Sequence, residues 1–444
     1  MRRILLPSFF FFIAPILLAD PSEPIVRIMT WDELLISPLY QISTRVRLEF
    51  DARNPDILVE RRMRGGRLTD DRLAFAAANA INLAPDYYAE AHVPIIPFWI
   101  RQGFCKPLND LIAETDQFDK VRPALWLPAT SNGSIYGIPA NSYVMTLFYR
   151  RDLFQEAGLN PDRGPETWDE MIDFAVRLTD RSKNRSGMAV LGQHFATWHW
   201  ENYVWQAGGE VTEMLPDGTC RIRWTEPAGV KATQLYTDLR WKHQCIQPNP
   251  VQSYADNNDD FFMGRAAMIL ATGDMLGEFL QRGLKPDQIG IWPLPAGPEG
   301  HRAAQLGGAF MILNPNSPPE RQRAAWRYIC WQASREAWIM RWKLMAEAGL
   351  NFPIPSIYED LDVGDYMNVP KAWSRSFTES LEYGRMEYYV KDRIEPYLSM
   401  AIQKVLIDEN ADCAEVLKEC AEIVQREVVD PFNEEIRKTK SPLE

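Results

Sequence analysis

Rings and polar groups crowd together at two places in this chain. Trp198-His199-Trp200-Glu201-Asn202 is the denser grouping, and Tyr87, Tyr88, Glu90 and His92 form the other. Rings suit flat or weakly polarised faces, while planar carboxylates, amides and imidazoles exchange hydrogen bonds with hydroxyls at a ligand's edge. The totals of 15 Trp, 16 Tyr and 20 Phe exceed what core packing usually demands, and they point the same way. The alternative for the denser grouping is a helix that simply buries Trp198 and Trp205.

Other chemistries are poorly supported. Glu90 and Asp274 could serve as acid and base across a glycosidic bond, but nothing in their spacing requires it, and neither a Gly-x-Ser-x-Gly nucleophile motif nor a phosphate loop occurs. His194 and His199 lie five apart, and His92, His243 and His301 are scattered, so no close metal-ligand pair exists and neither metal nor cofactor is expected. A formal net charge of -12 over 444 residues repels nucleic acid and anionic lipid.

These groups need a scaffold, and the composition supplies one. With 46% apolar and 24% charged residues the chain is globular, and its length predicts two or three domains. Arg2 and Arg3, then an apolar run ending in Leu17-Leu18-Ala19, read as a signal peptide covering residues 1–19 with cleavage after Ala19. With no cysteine near that point for a lipid anchor, the expected location is the periplasm. Of the six cysteines, Cys413 and Cys420 stand about 10 Å apart on one helix and cannot pair. Cys220 with Cys245 is the more plausible bridge.

The pattern alternates strands with helices. Ile25 to Trp31 is a strand, Leu34 to Arg53 a helix stopped by Asn54-Pro55, and Ile57 to Glu60 a second strand. This βαβ opening implies a parallel sheet and an α/β class. Further helices are predicted at Asp71 to Ile81, Ile95 to Gln102, Trp168 to Thr179, Ala228 to Lys242, Pro319 to Ala333 and Ile394 to Ile407. Thr167 with Glu170 predicts a capping box, Gly158 a helix end with positive φ, and Asp86 a structural carboxylate.

An ordered series of short motifs adds a resemblance. They are Ala84-Pro85-Asp86, Gly103-Phe104 with Pro107-Leu108-Asn109-Asp110, and Tyr136-Gly137-Ile138-Pro139 running into Leu147 to Phe154. Ala157-Gly158-Leu159 with Thr167 to Glu170, Trp205 to Gly209, Phe262 to Met268, and Pro293-Leu294-Pro295 with Gly307-Gly308 follow. In this order they resemble extracellular solute-binding proteins of the family 1 type, the maltose-binding-protein-like sugar receptors of ATP-driven importers. The likeness covers nearly all of the chain beyond residue 19.

The resemblance implies a two-lobed, type II-like α/β periplasmic-binding-protein fold with its ligand in the cleft. The N-terminal lobe would comprise residues 20–140 and 295–325, and the C-terminal lobe 141–294 and 326–444. Crossings near Tyr143, Pro293 and Pro315 to Arg327 would form the hinge. It also implies a monomer that binds a carbohydrate and meets an inner-membrane ABC permease with its ATPase. A receptor for a polyamine, phosphorylated polyol or peptide is the alternative. Tyr143, Gly273, Asp274 and Arg385 fall where family members touch ligand, and Gly307 and Gly308 would let backbone amides approach it, with Phe310 as a ring. Trp31, Tyr87, Tyr88, Glu90, His92, Trp198, Trp200 and Glu201 complete the candidate set.

Overall fold

The computed structural model describes residues 25–33, 38–64, 74–75, 77–93 and 95–440. The predicted signal peptide and the first turns of the helices predicted from Leu34 and Asp71 lie outside them. Two sheets organise the molecule. The first contains β1 (Val26–Glu33), β2 (Ile57–Arg64), β3 (Tyr87–His92), β4 (Ile138–Val144), β8 (Ala304–Leu313) and β9 (Gly384–Met386). The second contains β5 (Thr146–Arg150), β6 (Met268–Ala271) and β7 (Ile289–Trp292).

The βαβ opening forms as its sequence demands. β1 pairs in parallel with β2 and β3, and α1 (Pro38–Arg53) makes the crossover. Proline suits a first helical position because its fixed φ is already helical and its missing N–H is needed by no one. β8 runs antiparallel to both β3 and β4, so β3 and β4 point the same way. The carboxyl ends of β1, β2, β3 and β4 therefore meet the start of β8 along a single edge.

The longer helices are α2 (Trp168–Leu178), α3 (Ala196–Gln206), α4 (Pro227–Thr237), α5 (Tyr254–Phe262), α6 (Gly273–Gln281), α7 (Pro319–Ala333), α8 (Arg335–Glu347), α9 (Lys371–Glu382), α10 (Lys391–Ile407), α11 (Cys413–Val424) and α12 (Asp430–Lys440). Around the second sheet, α9 lies on β7, and α10 packs on α3, α4 and α11. Among the described residues no helix is long and apolar enough to cross a membrane.

Several expectations are corrected by this packing. Residues 326–347 do not join the second group: α7 lies on β1 and α1, and α8 on α1. Arg327 pairs with Asp56 at 2.6 Å and the Trp331 indole donates to the Val46 carbonyl. Pro315 to Arg327 is thus internal to the first lobe, and the later passage to α9 falls between Glu347 and Lys371. The helix predicted at Ala228 to Lys242 ends as a π-turn over Asp238–Lys242. Cys220 and Cys245 are both free. Asn433 holds the Cys220 backbone while the Cys245 thiol donates to the Leu239 carbonyl, and burial pushes both thiols up to about 12.

Local capping agrees in part. Thr167 accepts the Glu170 N–H at 3.2 Å. Glu170, however, takes the Glu166 N–H and the Arg163 guanidinium instead of the Thr167 N–H, so only half of the capping box forms. Gly158 has the expected positive φ, at +69°.

Candidate ligand cleft

Ligands of open α/β sheets sit beyond the carboxyl ends of strands, so the shared edge of the first sheet is the place to look. Glu90 and His92 stand there on one face of β3, as residues two apart must. Their Oε2 and Nε2 are 3.6 Å apart and both side chains are part-exposed. Trp31 lies in the last three residues of β1 at the same edge, opposite Arg62, and its side chain lies outside the described residues.

Tyr143 is the last residue but one of β4, three residues before the chain enters the second sheet at Thr146. It pairs with Gly307, and a Cβ at Gly307 would collide with its ring. Gly307 therefore makes room for the phenol of Tyr143, and the expectation that its backbone faces a ligand is corrected. Gly308 is needed for another reason: its φ is +141°, and a Cβ there would strike the Asn141 carbonyl. Its carbonyl accepts from Val93. Tyr143 is 37% exposed, yet burial at the hydroxyl end raises its pKa, with Glu387 and Asp274 adding to the effect.

Helix starts of the second lobe bring together a group of rings. Phe195 precedes α3, Trp198 is in its first turn, and Tyr254 begins α5. The Phe195–Trp198, Phe195–Tyr254 and Trp198–Tyr254 centroids are 6.1, 6.0 and 6.0 Å apart, a triangle of mutually tilted rings. Phe195 is 37% exposed and holds φ at +67°, an uncommon conformation for a residue with a side chain. Gly273 and Asp274 open α6 at the end of β6, where the Thr272 hydroxyl donates to Asp274. Burial raises the Tyr254 pKa, and Asp274 contributes, as do Glu278 and Tyr143.

Behind Tyr143 lies a buried polar group. Glu201 is 0% exposed, accepts one long bond from the Tyr388 N–H at 3.4 Å, and leaves Oε1 without a partner. Burial raises its pKa well above the carboxylate range, opposed by Lys391. The buried His199 Nε2 is also unpartnered, and burial lowers that imidazole to about 3. Lys391 forms an ion pair with Glu387, both nearly buried. Burial lowers and Glu387 and Glu201 raise the Lys391 pKa, with a net rise.

The structure buries four of the remaining candidates and pairs the fifth. Trp200 is wholly buried and donates to the Thr233 hydroxyl at 3.1 Å. Tyr87 meets the edge of Tyr328 at 5.3 Å. Tyr88 stacks on Phe75 at 5.0 Å, in a small core shared with Phe310. These four are packing residues: Trp200 lies in a helix almost wholly buried, and Tyr87, Tyr88 and Phe310 lie on strands that, covered on both faces, bury successive side chains alike. Arg385 pairs with Glu210 and lies 5.3 Å from the Trp205 ring, so its charge is already engaged. Phe195, Tyr254, Glu387 and Lys391 were missed. Phe195 adjoined the ring cluster and could have been found, whereas Tyr254 is 56 residues from Trp198 and carried no signal.

Residues 72–337 match the family described as bacterial extracellular solute-binding protein. A Brucella abortus protein described as a binding protein is 26% identical over 236 residues, which are 52% of this chain and 54% of that one. The sn-glycerol-3-phosphate-binding periplasmic protein UgpB of Escherichia coli is 23% identical over 65% of this chain and 66% of its own. The chain thus spans about half to two thirds of the curated relatives it matches. An ABC transporter solute-binding protein of Thermotoga lettingae, solved with alpha-D-tagatose, superposes with a TM-score of 0.70 over 90% of this chain and 99% of that one at 23% identity, a likeness of fold. The family match covers more than half of the sequence and agrees with a two-lobed fold with a shared edge, so this chain belongs to the bacterial extracellular solute-binding protein family.

Proposed function

We propose that this protein is the periplasmic receptor of an ABC importer, that it takes a sugar or oligosaccharide between its lobes, and that it hands this ligand to an inner-membrane permease powered by its ATPase. The observation that carries the reading is the ring triangle Phe195, Trp198 and Tyr254 beside Tyr143 and Asp274. Rings cover sugar faces, and phenol and carboxylate bond hydroxyls. Glu90 and His92 offer the same polar chemistry on the first lobe. A ligand that touches both lobes favours the closed form, since one with equal affinity for both forms shifts nothing. The receptor acts as a monomer, reaches the periplasm through its cleaved signal peptide and hydrolyses nothing.

A phosphorylated polyol is the rival that the name of the Escherichia coli relative suggests. Asp274 and Glu387 beside Tyr143 oppose a phosphate, and Arg385 is held by Glu210. Thermal unfolding against maltose, glucose and glycerol 3-phosphate tests the reading. A sugar at a hundredfold excess over its Kd should stabilise the protein by about 2.7 kcal/mol. A shift with glycerol 3-phosphate and none with any sugar would sink the sugar assignment.

A further inference from the structure

Arg101 belongs to the first lobe. It ends the short helix Ile96–Arg101 that follows β3, and Ile96, Trp99 and Ile100 of that helix lie in the core shared with Tyr88 and Phe310. Its exposed guanidinium nevertheless rests on the second lobe. Nη1 is 3.5 Å from the Met214 Sδ, and the group stands over the Tyr389 ring at 5.3 Å from its centre. Met214 closes the first strand of an antiparallel hairpin, Thr212–Met214 with Cys220–Ile222. Tyr389 is fastened to that hairpin and to α12: the Thr212 hydroxyl donates to its carbonyl at 2.9 Å, its own hydroxyl donates to the Gly218 carbonyl at 3.1 Å, and its ring meets the edge of Phe432 at 5.5 Å.

The backbone beside Tyr389 is held in an unusual form. Val390 has φ at +63°, an outlier for a β-branched residue, and such a conformation persists only where its surroundings over-determine it. Nearer the crossings, Arg385 of β9 pairs with Glu210, two residues before the same hairpin. Two arginines from the side of the first sheet therefore reach one segment of the second lobe.

We infer that Arg101, Met214 and Tyr389 form a clasp that holds the two lobes together without help from a ligand. The cation is drawn to the ring face, and because the two groups sit on different lobes, opening the cleft must pull them apart. An exposed contact of this kind favours the joined form about two- to fivefold. A solute that needs the closed form then gives up less affinity to closing it, whatever its chemistry. The clasp requires only the two lobes, so it is tested apart from the identity of the solute.

Small-angle scattering of the ligand-free protein supplies the test. Arg101→Ala, an exposed change, should enlarge the radius of gyration, with the fitted ratio of closed to open forms falling about two- to fivefold and the urea midpoint unmoved. Tyr389→Leu should open the protein equally, whereas Tyr389→Phe keeps the ring and should keep the wild-type radius. Combining Arg101→Ala with Tyr389→Leu should open it no further, since both changes remove one contact. An unchanged radius in Arg101→Ala overturns the clasp, and so does a double variant whose increase is the sum of the two. Expansion of Tyr389→Phe assigns the effect to the bond with Gly218 and overturns it as well. If Tyr389→Leu disturbs the hairpin, Arg101→Ala decides alone, with Arg101→Lys, which keeps a cation, expected to stay nearer the wild type.

Discussion

Two buried carboxylates in this molecule have opposite surroundings. Asp86 is 2% exposed and saturated: it accepts from the Met29 N–H at 2.8 Å, from the Ser317 hydroxyl at 2.6 Å and from the Arg321 guanidinium. Those partners tie β1 to the start of α7. Glu201 is equally buried, with one bond at 3.4 Å and an unpartnered oxygen. A carboxylate whose acceptors are filled by its own protein has finished its work in holding the fold. Glu201 instead keeps an open oxygen next to Lys391 and Glu387, the same groups that reach Tyr143. Asp86, as its motif predicts, is structural.

The contrast breaks most visibly if Asp86 is removed. Asp86→Ala strands Arg321, Ser317 and the Met29 N–H together, and it should lower unfolding free energy by about 3–5 kcal/mol in urea denaturation. A loss below about 1 kcal/mol would mean that the bonds around Asp86 do not hold β1 to α7. The same helix that carries Glu201 gives a control of similar size. Trp200→Ala should also cost about 3–5 kcal/mol, because the ring is fully buried.

Replacing Glu201 by its amide sharpens the comparison. Burial raises its pKa in the folded protein above the ordinary 4.5, so the folded state binds that proton more tightly than the unfolded chain does. The associated stability is present below pH 4.5 and is lost as pH rises toward the folded value. Glu201→Gln should therefore match the wild type near pH 4.5 and exceed it at pH 8 by about 1–3 kcal/mol. Urea midpoints at the two pH values decide it, and a variant weaker than wild type at pH 8 would show Glu201 to be as well satisfied as Asp86.

Smaller still is the stability effect expected at the rim. Tyr143→Ala removes a part-exposed ring that covers Gly307, so it should cost about 1 kcal/mol or less. It should nonetheless weaken the bound sugar about tenfold or more, a binding change of roughly 1.4 kcal/mol by calorimetry. Full affinity after Tyr143→Ala would move the ligand away from the first crossing. Small-angle scattering should show a smaller radius of gyration with saturating ligand, and an unchanged radius would defeat closure of the lobes.

The sequence alone determined the elements and the class. Hydrophobic period and the stop at Asn54-Pro55 placed the βαβ opening, and Pro319 to Ala333 appears with the predicted bounds. Local chemistry sufficed there because helix caps, turns and strand alternation involve residues only a few positions apart. Tertiary structure alone decided which lobe receives α7 and α8, that the ring of Tyr143 lies over Gly307, and that Tyr254 joins Trp198. It also sorted the residues of α3, where Trp200 fills the core, Glu201 keeps an open oxygen and Trp198 turns to the rim. Ten of its eleven residues are buried, so no apolar stripe distinguishes its faces, and each polar side chain takes its role from the partner that a distant segment does or does not bring.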